Sequence, residues 1–110
     1  MSFSDLYLIK PLRGAEDYIC WRVQISDVLK VLDLWEYTSG AIACPSDAAS
    51  AVDWYRKDRK ALMIIRLRVS NTMFPYVAGA TTSKEAFDSL AEAFPSLVSK
   101  LYSLSNARRR

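Results

Sequence analysis

Apolar and polar positions along the chain follow a helical period almost throughout, and no stretch alternates convincingly as a strand. The longest run free of helix breakers is 53–69, where Trp54, Tyr55, Ala61, Leu62, Ile65 and Val69 fall on one side of a 3.6-residue wheel. Met63, Ile64 and Leu67 make the second half apolar on the other side too, which predicts a central helix packed from several directions. Ser46 and Asp47 are good starting residues for it, with Ser50 as an alternative, and it should end near Ser70 and Asn71.

Before it, Tyr18, Trp21, Ile25, Val28, Leu29, Leu32 and Trp35 form one stripe of about 120°, the core face expected of a bundle helix. Gly14 permits a tight bend ahead of that helix, and Glu16 and Asp17 suit the positive end of its dipole. Residues 1–13 read as an extended arm over the bundle, with a short strand or helical turn as the alternatives. Thr38, Ser39, Gly40 and Pro45 mark a loop between the first two helices. Pro75 allows a short helix that Gly79 closes. Thr82 and Glu85 have the spacing of a capping box ahead of Ala86, Phe87, Leu90 and Phe94, and Ser96 can cap a last helix carrying Leu97, Leu101 and Leu104. The pattern therefore predicts an all-α fold, a compact bundle of about five helices over 14–106, followed at 107–110 by a basic tail or the start of a linker.

Composition narrows the chemistry. A hydrophobic fraction of 51% with three Gly and four Pro suits one compact helical domain. The formal charge of +3 equals the contribution of Arg108, Arg109 and Arg110, so it is weak evidence for a nucleic-acid partner. With no His, and with Cys20 and Cys44 as the two thiols, the chain lacks the ligands of a zinc site. A glycine-rich phosphate loop and a nucleophile elbow are missing as well, so we expect neither an enzyme nor a cofactor. No run approaches a membrane span, and the reading is of a soluble, cytoplasmic protein.

Four groups of residues remain as candidates for function or for a defining structural role. Opposite the core stripe of the first helix lies a weaker one, Ile19, Cys20, Val23, Val31 and Leu34; it is either covered by the arm or another helix, or a contact surface for another chain. Trp35, Tyr37, Phe74 and Tyr76, near helix ends, are either core or the lining of a groove for an apolar peptide. The outer side of the central helix carries Arg56, Lys57, Arg59 and Lys60, then Arg66 and Arg68, a solvated face or a non-specific, salt-sensitive RNA contact. Asp58 points into the core stripe between Trp54, Ile65 and Val69, so it must accept hydrogen bonds from an indole, a tyrosine hydroxyl, a helix start or an arginine, or else serve a binding site.

Leu12, Gly14, Tyr18 and Trp21, in the form L-x-G-x-x-x-Y-x-x-W, resemble the start of the Gag polypeptide of copia-type (Ty1/copia) LTR retrotransposons. Leu34, Trp35 and Glu36, then Trp54 with Asp58 and Ala61, then Ile65 and Leu67, look like that family's central segment. Residues 82–90 with Phe94 are similar to its A-W-x-x-L-x-x-x-F element, with Phe87 where Trp is usual, and Leu97, Leu101 and Leu104 resemble the family's next, leucine-spaced helix. The resemblance spans about residues 8–104. It implies the N-terminal lobe of a capsid protein, retroviral-capsid-like, whose work is to pack against copies of itself in a shell around RNA and which has no active site. Tyr18, Trp21, Trp54, Asp58, Ile65, Phe87, Leu90 and Phe94 would then be structural core. The second lobe and the Cys-Cys-His-Cys knuckle usual in the family are not present in this sequence. The implied partners are other copies of the chain, with RNA or a peptide ligand as the alternatives, whether in an active element or a domesticated host protein.

Overall fold

The computed structural model describes residues 3–108, and side chains over 5–103. Among the described residues the fold is all-α: a 3-10 turn at Phe3–Leu8, then α1 (Ala15–Val31), α2 (Trp35–Ser39), α3 (Ala48–Leu67), α4 (Pro75–Ala78), α5 (Ser83–Glu92) and α6 (Pro95–Arg108). The expected bundle is present, and the start signals of α3 and α5 act as read, whereas Ser96 does not cap the last helix: α6 already begins at Pro95, with the Phe94 carbonyl accepting from the Leu97 and Val98 N–H groups. Asp47 caps α3 by accepting from the Ser50 N–H at 2.9 Å, and its carboxyl is held below the usual carboxylate range first by the Ser50 side chain and then by that N–H. Thr82 caps α5 by accepting from the Glu85 N–H at 3.1 Å. The capping box is not closed in the usual way: the Glu85 carboxylate accepts from the Thr81 hydroxyl at 2.8 Å, one residue upstream of the cap.

The helix that packs on most others is α5, which touches α2, α3, α4 and α6. The centre of the bundle is thus this ten-residue helix, and not α3 as its apolar pattern suggested. α3 buries Trp54, Asp58, Ala61, Leu62, Ile64 and Ile65 against α2 and α5 and leaves its outer side in water. Tyr55, Met63 and Leu67, all expected inside, are exposed. One covered stripe is all that a helix packed by neighbours on one side can offer, so Met63 and Leu67 on the other side, and Tyr55 at the edge of the stripe, stay outside.

The first helix is shorter than its stripe. It ends at Val31; Leu32 lies in the turn beyond it, and Trp35 already belongs to α2. Asp33 adopts a left-handed backbone, φ 59°; its N–H donates to the Lys30 carbonyl at 3.1 Å and the Leu34 N–H to the Leu29 carbonyl at 2.7 Å. This is a Schellman stop with Asp at the position Gly usually holds, and it turns the chain sharply into α2. Leu29 and Leu34 are both buried, as the apolar contact across such a stop requires. Because a side chain strains that conformation, Asp33→Gly is expected to raise stability by about 0.5–1 kcal/mol. A thermal melt checks it, and a fall in stability would mean that the Asp33 side chain itself holds the turn.

The loop expected to start at Tyr37 begins later, since 35–39 is helical and Gly40 ends it at φ 89°. The left-handed backbone requires glycine there, whereas the Lys84 Cε that a Cβ would meet at 2.9 Å is the end of a flexible side chain that can move aside. Gly14 makes the expected bend ahead of α1, but with an extended backbone at φ 172° that any residue can adopt. Residues 3–8 form a 3-10 turn in place of an extended arm, and Leu6, Ile9 and Leu12 are buried on the bundle of their own chain.

Arg68 ties that arm down. Its guanidinium donates to the Ile9 carbonyl at 2.9 Å and the Leu6 carbonyl at 3.2 Å, while its own carbonyl accepts from the Leu12 N–H at 2.9 Å and the Trp21 indole at 2.7 Å. Arg66 reaches the other way, to the carbonyls of Val77, Ala78 and Ala80 at 3.2, 3.2 and 2.9 Å, closing the end of α4. Both arginines, expected on a solvated basic face, are structural clamps.

Candidate interaction surface

Phe87 on α5 joins the residues that carry the family-like pattern. Its ring lies 6.4 Å from Trp21, 5.5 Å edge-on from Trp35, and under the Arg22 guanidinium at 4.4 Å. Tyr18 extends the cluster to Phe94 at 4.8 Å, and burial pushes its phenol above the ordinary value. Ile65 and Leu90 are buried in the same core. Trp54 is buried too, its indole donating to the Ile42 carbonyl at 2.8 Å and so fixing the loop before α3.

Asp58 is buried as its helical position required, and of the partners considered it takes a helix start. Its Oδ1 accepts from the Ser83 N–H at 3.0 Å and the Ser83 hydroxyl at 2.6 Å; the Thr38 hydroxyl in turn donates to Ser83 Oγ at 3.0 Å. All three side chains are buried, so the carboxylate joins α3, α5 and α2 and faces no ligand site.

The aromatic groove residues are not drawn together. Trp35 is packed on Phe87, Tyr37 lies 6.1 Å from Trp54, and Phe74 and Tyr76 are exposed at α4. Within the weaker stripe of α1, Leu34 belongs to the core, because the turn at Asp33 points it inward, and Ile19 packs against that core. Val23 and Val31 remain on the surface, 46% and 60% exposed.

The outer side of α3, expected to be a basic face, also carries exposed apolar residues that the sequence did not announce there. Val52, Tyr55, Met63 and Leu67 are 50–59% exposed. Val52, Tyr55 and Met63 line a shallow depression of about 620 Å³ together with Arg56, Arg59 and Lys60. Among the described residues no carboxylate pairs with those three cations, whereas the neighbouring Lys57 pairs with Asp53 at 3.3 Å. The Tyr55 phenol is raised above its ordinary value, first by its hydrogen bond with the Cys44 thiol. Apolar and cationic side chains on one strip suit a partner that is itself apolar and acidic. The signal was legible in principle, since Val52, Arg56, Arg59 and Met63 recur at helical spacing, and Met63 on the same stripe as two arginines belongs outside.

The side chains of Leu104, Arg108, Arg109 and Arg110 lie outside the described residues, and so does any role for the terminal arginines. Both cysteines are free and exposed. Among the described residues no group of carboxylates and cysteines could hold a metal ion, and no helix is long and apolar enough to cross a membrane. No family model, no curated protein and no solved structure matches the chain.

Proposed function

We propose that this chain is a structural assembly domain, a Gag-type capsid lobe like those of copia-type retrotransposons or of host proteins derived from them, which associates with copies of itself in the cytoplasm. The observation that supports this reading most is that two long helices, α1 and α3, each keep an outer face on which apolar and charged side chains are mixed and exposed. Such faces are what a lattice of individually weak contacts needs, because many copies add up what one contact lacks. The residues behind the family resemblance give support of another kind: Tyr18, Trp21, Trp54, Asp58, Ile65, Phe87 and Leu90 are buried in the bundle and Phe94 packs against it, so they define a fold and leave the outer faces to do the work.

Sedimentation of Val23→Asp beside the wild type tests the reading. Val23 is exposed, so the variant should keep its helical signal while its association weakens by about tenfold or more. Unchanged association in the folded variant would remove the α1 face. Binding of RNA that falls steeply with salt, without self-association, would support the basic face as an RNA contact in its place.

A further inference from the structure

The outer faces of α1 and α3 carry the same spacing. On α1 the exposed residues Glu16, Cys20, Val23, Asp27 and Val31 follow one another at intervals of four, three, four and four, and on α3 Val52, Arg56, Arg59, Met63 and Leu67 do the same. Each set forms one nearly straight seam of about 22 Å. The charges on the seams are opposite: carboxylates on α1, unpaired arginines on α3.

Resting on the self-association proposed above, we infer that the α3 seam of one copy docks antiparallel on the α1 seam of the next. In that direction Val31 meets Val52, Asp27 meets Arg56, Val23 lies along the stem of Arg59, Cys20 meets Met63, and Glu16 lies beside Leu67 at the open end of the seam, where it stays in water. The parallel direction sets Asp27 against Met63 and Cys20 against Arg56, and matches no charge. A two-fold pairing of α3 with its own copy would press the central Arg59 and Lys60 against their equivalents, which like-charge repulsion disfavours. The occupant of the α3 face is therefore the α1 face of a second copy. Because the two patches differ, the contact is head to tail and leaves a docked pair with one free seam at each end, so it propagates into a ring or a filament.

Charge reversal with complementation tests this. Arg56→Glu and Asp27→Arg both lie at exposed helical positions, and circular dichroism shows whether each keeps the fold; if Arg56→Glu does not, Arg56→Asp, which reverses the charge at the same position, replaces it. Each variant alone should need about tenfold more protein than the wild type to reach the same mass by light scattering. Mixed in equal amounts they should return to the wild-type curve, since each junction then joins opposite charges. A variant that associates like the wild type, or a mixture no better than its parts, overturns the seam pairing while the wild-type curve still upholds self-association. A wild type that stays monomeric, or that gains mass only when RNA is added, overturns both.

Discussion

Replacing Phe87 with alanine is expected to lower stability by about 3–5 kcal/mol, the largest effect of any single change considered for this chain. Its ring is buried where Trp21, Trp35 and the Arg22 guanidinium converge, at 6.4, 5.5 and 4.4 Å, so three elements lose their common contact at once. The aromatic neighbours are too large to collapse into the space without leaving their rotamers, and the cavity term is therefore retained. A domain of this size has about 5–15 kcal/mol in all, so the variant should melt far below the wild type or fail to fold at low denaturant. Urea titration followed by helical signal measures it. A loss under about 1 kcal/mol would show that the cluster closes up and that α5 is held chiefly by its other contacts.

Asp58→Ala is expected to cost about 2–5 kcal/mol, because the Ser83 N–H and hydroxyl, both aimed at the carboxylate, lose their acceptor inside the core. Asp58→Asn should be much milder, about 1 kcal/mol, since an amide oxygen at the same place accepts both hydrogen bonds. The contrast between the two variants in thermal melts is what decides the role of the residue. Equal damage would mean that the negative charge is needed at the start of α5, beyond its capacity to accept.

Much of this was readable from the residues. Asp58 sits on the core side of α3 by arithmetic alone, and burial of a carboxylate demands partners, so a helix start was among the few answers that chemistry permits. The capping residues Asp47 and Thr82 act locally and were equally visible. What depended on neighbours was not. The stripe from Tyr18 to Trp35 continues at helical spacing across Asp33, and nothing marks the break, because the stop uses Asp where Gly would have signalled it. Arg66 and Arg68 look like a basic face until the carbonyls of distant segments reach them, up to 62 residues away in sequence for the Arg68 contact with Leu6. Met63 and Leu67 carry the right chemistry for a core and lie outside because no element covers that side of α3. Which apolar side of a helix is covered is a tertiary fact, and periodicity gives only the sides. For the same reason the candidate interface grew: on α1, Val23 and Val31 stayed outside as one half of it, and the apolar seam on α3 emerged only once its neighbours were placed.

Self-association of this helical domain is decided by the mass of the wild type in light scattering behind size-exclusion chromatography, over a wide range of concentration and at two salt levels. The mass should rise with concentration and fall back at higher salt, as contacts between the Asp27 and Arg56 faces are screened. A mass fixed at that of one chain, 12.5 kDa, at every concentration and at both salt levels would contradict self-association.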